Sequence, residues 1–483
     1  MNREIKKAQV LSSLLWKLME RGGTQGIQFI VQIVLARLLL PEDYGIIALV
    51  LVFIAIANVF VQSGLNTSLI QKKEADEIDF SSVFYVSLLI AGLFYIILFL
   101  TVPFIAEFYN KQQLIPVLRV LAVTLFFGAF NSIQNAIIAR NMQFKKLFFS
   151  STGAILISGI VGIYMACAGY GVWALVGQQI INQLSISLIL WFTVKWRPRL
   201  IFSHRRVKEL FSFGWKLLVS SLIYTIYIDL RSLVIGKMFE AEILGLYNRG
   251  QQFPAVLVSN IDGSIQSVMF PVLASQQDSR PRVKDMMRRA IVTSSFVTFP
   301  MMVGLAVTAE PLVKLLLTDK WLPCVPFLQI FCASHALMPI HTANLQAINA
   351  LGRSDIFLKL EIIKIIVGLS VLGITVFYGV YAIALGAVLS GIISTFINAY
   401  PNKELLDYSY IEQWNDIMPS LLLSLVMGVV VYSFKWLGLP VMITLVVQMC
   451  VGIILYVGMA WIFKLECFNY LIITARDLFA NKK

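Results

Sequence analysis

The sequence predicts an all-α polytopic membrane protein of about 14 transmembrane helices, built as two repeated six-helix lobes plus a C-terminal helix pair. Three observations carry this. The 483 residues are 58% hydrophobic and only 13% charged, with a mean hydropathy of +0.80, far from soluble composition. The apolar residues come in runs of about twenty, enough to cross roughly 30 Å of hydrocarbon at 1.5 Å per helical residue, and not in short alternating strands. The pattern of the first half also returns in the second.

Taken in order, the apolar segments fall near 14–40, 45–70, 81–106, 114–139, 147–168, 172–194, 211–236, 246–275, 290–317, 325–350, 357–378, 380–400, 417–437 and 440–463. Pro103, Pro271, Pro300 and Pro339 interrupt four of them, as membrane helices tolerate when neighbours satisfy the freed carbonyls. The first segment, from Trp16 to Gly45, contains no proline before Pro41 and reads as one long helix. Its Lys17, Arg21, Gln25, Gln28 and Gln32 follow spacings of 4, 4, 3 and 4, which stacks them on one face. In a bilayer that stripe must face protein or water.

The seventh segment, from Trp215 to Gly245, repeats the device. Lys216, Ser220, Tyr224, Tyr227 and Arg231 each stand 199 positions after their counterparts. Arg37 to Gly45 matches Lys237 to Gly245 in spacing, and YGVWAL (170–175) matches YGVYAI (378–383) at four of six positions. The expected organisation is a six-helix lobe over 1–194, a basic linker over 195–210, a second six-helix lobe over 211–400 and a final helix pair with a tail over 401–483. Recurrence at matched register favours two walls of one polar cavity over two helices that merely bury polar residues against neighbours. Repeated halves in membrane proteins place binding sites at their interface.

A net charge of +13 would suggest nucleic acid in a soluble protein, but here topology accounts for it. With the N-terminus inside, 26 Lys and Arg fall on one side of the membrane and five on the other, which puts both termini in the cytoplasm. No nucleic-acid partner is expected. The segments 195–208, 276–289 and 402–416 read as cytoplasmic loops that touch lipid headgroups. The basic start leads into the striped helix without a signal-cleavage pattern, so that helix is expected to be retained. Five scattered cysteines offer neither a disulfide framework nor a metal site.

Buried acids are candidates for coupling to H⁺ or Na⁺: Glu20, Asp229 and Asp262 first, then Glu310 and Glu361. Asp262 either pairs with a cation such as Arg249 or Arg231, or serves as a coupling acid. His335 and His341 read as interhelical hydrogen-bonding groups ahead of a proton relay.

The strings LARLLLPEDYG (35–45), QSGLNTSLIQ (62–71) and YGVWALVGQQ (170–179) resemble the polysaccharide-flippase branch of the multidrug/oligosaccharidyl-lipid/polysaccharide exporter superfamily, the Wzx-type exporters. The resemblance covers essentially the whole chain. It implies movement of a polyprenyl-pyrophosphate-linked oligosaccharide from the cytoplasmic to the outer leaflet, with membrane lipids and polysaccharide assembly proteins as further partners and no cofactor beyond a coupling ion. It also implies cavity cations for the pyrophosphate, and by position these are Arg21 in the first helix with Arg231 and Arg249 in the seventh and eighth.

The residues support the same chemistry independently. A pyrophosphate diester needs counter-charges in low dielectric, which Arg and Lys supply, while Gln25, Gln28, Gln32, Tyr224 and Tyr227 suit sugar hydroxyls and ring faces. A multidrug cation exporter of the same fold is the alternative, but its cavity should be acidic or aromatic where these stripes begin with lysine. A membrane enzyme would show a sizeable outward catalytic loop, and none is read here.

Overall fold

The computed structural model describes residues 7–62, 64–72 and 74–480; the side chains of 7–15, 18, 21, 267, 268 and 474–480 lie outside the described set. Among the described residues nineteen α-helices follow one another. The first ten are α1 (Lys7–Leu38), α2 (Pro41–Gln62), α3 (Leu65–Gln71), α4 (Glu77–Tyr109), α5 (Leu114–Leu121), α6 (Thr124–Arg140), α7 (Phe144–Cys167), α8 (Val172–Thr193), α9 (His204–Met238) and α10 (Ala241–Ala274). The rest are α11 (Arg280–Val307), α12 (Ala309–Leu317), α13 (Val325–Ala336), α14 (Met338–Ala350), α15 (Ser354–Thr375), α16 (Val380–Leu406), α17 (Tyr410–Ser433), α18 (Val441–Ile462) and α19 (Glu466–Ala480).

Among the described residues, thirteen helical stretches are long and apolar enough to cross a membrane. The remaining expected span is α1, which at 32 residues is about 48 Å long but has its apolar run broken by Gln25, Gln28 and Gln32. Rows of exposed apolar side chains, such as Leu89, Leu93, Ile96, Leu100 and Phe104 on α4, give the lipid-facing surfaces such helices require. Pro103, Pro271 and Pro300 sit inside continuous helices, whereas Pro339 occupies the first turn of α14, where its missing N–H is harmless.

Helix boundaries repeat with the sequence. α1 ends at Leu38 and α2 begins at Pro41; α9 ends at Met238 and α10 begins at Ala241, each 200 residues later. Where these corners meet, a Cβ on Gly45 would lie 1.7 Å from the Ala241 carbonyl oxygen and one on Gly245 would lie 2.0 Å from that of Pro41, so only glycine fits. Gly171 (φ 54°) and Gly379 (φ 98°), the shared glycines of the YGVWAL and YGVYAI strings, both stand at positive φ immediately before α8 and α16.

Packing divides the chain into two compact units, Met1–Gly245 and Leu246–Lys483. This division follows contacts and not sequence similarity: α9 opens the second repeat, yet it packs on α2, α3 and α4 of the first unit. Within that unit α7 lies against both α1 and α8, its small residues Ala154, Ser158 and Gly162 letting neighbours approach. In the second unit the core gathers around Met287, Phe299, Ile340, Tyr408 and Ile417.

The three segments expected as loops are ordered differently. Residues 280–289 form the first turns of α11, and 402–416 belong to α16 and α17 apart from a turn at 407–409. Asp416 ties that turn down, accepting from both Arg288 (2.7 and 2.9 Å) and the Tyr408 hydroxyl (2.7 Å). Burial pushes the Tyr408 hydroxyl pKa well up, and the hydrogen bond to Asp416 adds to it. The 195–203 linker is not loose against headgroups; it is stitched to the start of α4. The Arg199 and Ser203 amides donate to Ser81 Oγ (3.1 Å) and Ser82 Oγ (3.0 Å), Arg199 pairs with Glu77 (2.5 Å), and Arg206 reaches Asp76 (3.3 Å) and Asp79 (3.5 Å). The fully buried Asp79 is further held by Lys72 at 2.7 Å. Asp76 caps α4, and the Asp79 backbone N–H it accepts, with help from the Arg206 and Lys72 charges, lowers its pKa despite some burial.

Candidate functional site

The polar stripe of α1 does find a cavity, and α8 supplies its other wall. Thr24, Gln25 and Gln28 from α1 and Gln178, Gln179 and Asn182 from α8 line an open-sided hollow of about 250 Å³, with Ile155 of α7 beside them. The spacing explains the assembly. Positions 24, 25 and 28 share one face of α1, and 178, 179 and 182 share one face of α8.

Each wall is braced. Gln32 Nε2 donates to Gln178 Oε1 (3.4 Å), and Asn182 Nδ2 donates to Ser158 Oγ on α7 (3.2 Å). One turn on, Asn131 of α6 donates to Gln183 (3.3 Å) and accepts from Ser187 (2.8 Å), continuing the polar seam along α8. Gln28 and Gln179 make no hydrogen bond among the described residues, which leaves their amides available.

The other expected site residues are distributed as follows. Lys17 is exposed with its Nζ 4.8 Å over the Phe144 ring, Glu20 is half-buried one turn on, and the side chain of Arg21 lies outside the described residues. On α9, Lys216 and Tyr224 are exposed, while Tyr227, Asp229 and Arg231 are half-buried; none makes a hydrogen bond or ion pair among the described residues. The principal neighbour of α1 is α7, and those of α9 are α2, α3 and α4; across the hollow the α1 stripe faces α8, which Gln32 reaches at Gln178.

In the second unit Arg249 is buried, donating to Gln252 (2.6 Å) with its guanidinium 5.2 Å from the Trp321 ring centroid, and so meets packed side chains instead of an open cavity. Asp262 accepts from Thr342 and from Gln266 (3.2 Å). Thirteen residues of continuous helix separate it from Arg249, about 20 Å along the axis, so the pairing expected between those two is corrected. Glu310 pairs with Lys435 (2.6 Å) and Glu361 with Lys364 (2.5 Å). His341 bridges α14 to α16, its Nδ1 3.2 Å from Asn398 Nδ2 and its Nε2 3.2 Å from Thr395 Oγ1. Among the described residues no cluster of His, Cys, Asp and Glu could hold a metal ion.

The α8 residues were legible. Gln178, Gln179, Asn182 and Gln183 fall at three- and four-residue spacings and make a second polar stripe, whereas the resemblance uses the first two only as part of the string YGVWALVGQQ.

Many helices long and apolar enough to cross a membrane, with a polar hollow among those of the first unit, define a multi-pass membrane protein. Residues 34–326, more than half of the chain, match the family described as polysaccharide biosynthesis protein, and the chain belongs to that family. The teichuronic acid biosynthesis protein TuaB of Bacillus subtilis (strain 168) is 25% identical over 306 residues, 62% of each chain, so the match spans less than two thirds of that relative. The lipopolysaccharide biosynthesis protein WzxC of Escherichia coli (strain K12) is 24% identical over 439 residues, 88% of each chain. Among solved structures, the lipid II flippase MurJ in an inward closed conformation superposes with a TM-score of 0.74 at 17% identity, covering 95% of this chain and all of its own. An inward-facing multidrug resistance MATE transporter gives 0.61 at 15% identity, covering 79% of this chain and 94% of its own. Both structural likenesses concern the fold.

Proposed function

We propose that this chain is a flippase that moves a polyprenyl-pyrophosphate-linked oligosaccharide from the cytoplasmic to the outer leaflet by alternating access, in a bacterial inner membrane with both termini inside. One observation carries the reading: a chain of the polysaccharide biosynthesis family holds, on helices α1 and α8, a carboxamide-lined cavity suited to a hydroxyl-rich cargo. Relatives named for lipopolysaccharide and teichuronic acid biosynthesis support the cargo class. Lys17, Arg21, Lys216 and Arg231 are the counter-charges for the pyrophosphate, since an unpaired dianion in low dielectric is prohibitive. Glu20, Asp229 and Asp262 are the candidate groups for H⁺ or Na⁺ coupling.

The test is transport by the purified protein in liposomes. Chemically accessible polyprenyl-pyrophosphate sugar should move between leaflets in proteoliposomes and not in protein-free vesicles. Equal leaflet exchange in both, or efflux of a cationic dye in place of the lipid, would overturn the reading.

A further inference from the structure

We infer that the α1–α8 cavity is a subsite for one uncharged hexose ring of the carrier-linked cargo, recognised through its hydroxyls, and that it lies apart from the cations that meet the pyrophosphate. This rests on the flippase reading and adds the part of the cargo bound and its charge class.

The lining is chemically narrow. Five of its seven residues, Gln25, Gln28, Gln178, Gln179 and Asn182, are primary carboxamides, with one hydroxyl from Thr24 and one apolar side chain from Ile155. Each carboxamide offers two N–H donors and an acceptor oxygen in one plane, and each sugar hydroxyl both donates and accepts, so the two sets saturate one another. An apolar ligand would satisfy neither the Gln28 nor the Gln179 amide.

Size limits the ligand further. About 250 Å³ holds the equivalent of about eight waters at roughly 30 Å³ each, and falls below the roughly 300–1,000 Å³ of drug-sized sites. A single pyranose fills this volume, and further sugars of the cargo would extend through its open side. Charge narrows it further: among the described residues none that lines the hollow is ionisable, so these amides offer a uronic carboxylate no counter-ion.

Placement agrees with a carrier-linked sugar. Along the α1 backbone, Gln25 and Gln28 follow Arg21 by four and seven residues, about 6 and 10 Å of rise. A pyrophosphate met at Arg21 thus leaves its first sugar at the level of the amides. Gln178 and Asn182 are held by Gln32 and Ser158, whereas Gln28 and Gln179 make no hydrogen bond among the described residues and supply the contacts that sort the ligand.

The experiment is equilibrium binding to the purified full chain in detergent. Four probes are compared: undecaprenyl pyrophosphate, the same lipid carrying one glucose or galactose, the same lipid carrying one hexuronic acid, and free glucose or galactose. The neutral hexosyl lipid should bind about tenfold more tightly than the bare lipid, equivalent to about 1.4 kcal/mol, and the hexuronosyl lipid should gain nothing. In Gln28→Leu and Gln179→Leu that tenfold ratio should fall towards one. Gln179→Asn, which keeps the amide but withdraws it by one methylene, should lower the ratio part-way and serves if the leucine variants do not accumulate.

Equal binding of bare and hexosyl lipid by wild type, or an unchanged ratio in the variants, would overturn the subsite while leaving the flippase reading standing. Free hexose binding as well as the hexosyl lipid would assign the pocket to a soluble sugar and also overturn it. Binding of none of the lipids would remove the flippase reading together with the subsite.

Discussion

Two regions of this protein use the same side-chain chemistry for different ends. On α1 and α8 of the first unit, carboxamides face a hollow, and Gln28 and Gln179 are left available. On α14, α16 and α17 of the second unit, amides face one another. Asn344 Nδ2 donates to Gln413 Oε1 (2.9 Å), Gln413 Nε2 returns a bond to Asn344 Oδ1 (3.1 Å), and Asn402 Nδ2 adds a third at 2.7 Å. Asn344 and Asn402 are 0% exposed and Gln413 is 1% exposed, so this cluster braces three helices and offers nothing to a ligand. The difference teaches that polar residues in a membrane helix mark a site only when their partners run out. Until then they are helix-packing bonds, each worth around 0.6–2 kcal/mol in a bilayer.

The largest expected effect lies in the braced cluster. Asn344→Leu orphans the Gln413 amide and an Asn402 donor in an apolar interior, at about 1–3 kcal/mol for each buried group left unpaired. The melting temperature and the yield of monodisperse protein should drop clearly. Gln28→Leu, by contrast, should leave the stability within about 0.5 kcal/mol of wild type. Thermal unfolding of both purified variants checks the pair; equal destabilisation would erase the distinction between a brace and a lining.

A double-mutant cycle sharpens it. Removing Asn344 and Gln413 together leaves fewer orphaned groups than the singles imply, so Asn344→Leu with Gln413→Leu should cost less than the sum, by a coupling of about 0.5–3 kcal/mol. Gln28→Leu combined with Gln179→Leu should be additive in stability, because no hydrogen bond joins those two side chains. Coupling in the second pair, or additivity in the first, would contradict the assignments.

Much of this comparison was legible in the sequence. The polar period of α1, the corner at Pro41 and its counterpart at Ala241, and the glycines at 171 and 379 are set by local rules of helix period, proline and positive φ. What the chain order does not carry is which helix meets which. The α1 stripe was expected opposite α9 because the two repeat, yet α8 supplies its facing wall, and α9 packs within the first unit. The linker basicity likewise looked like headgroup contact until Glu77, Asp76 and Asp79 appeared beside Arg199 and Arg206.

The smallest expected effect is at that clamp. Asp76 has a folded pKa below its unfolded value of about 3.9, so its contribution is fully present above that value and is lost as pH falls through the lower, folded one. Its side chain is 46% exposed and its partner Arg206 36%, so Asp76→Asn should cost no more than about 1 kcal/mol at pH 7. Melting temperatures of variant and wild type should converge as pH falls through that lower, folded value. A gap that widens towards acid pH would show that the ion pair and cap do not act this way.

The central claim, that the α1 stripe meets the headgroup of a lipid-linked sugar, is tested most directly by transport rates in proteoliposomes at matched amounts of folded protein. Arg21→Gln and Gln179→Leu should each slow movement of a polyprenyl-pyrophosphate hexose by about tenfold or more, with Arg21→Lys retaining more activity than Arg21→Gln because charge matters before shape in a hydrated cavity. Wild-type rates in Arg21→Gln, in Gln179→Leu and in their double mutant would contradict the account and return both stripes to helix packing.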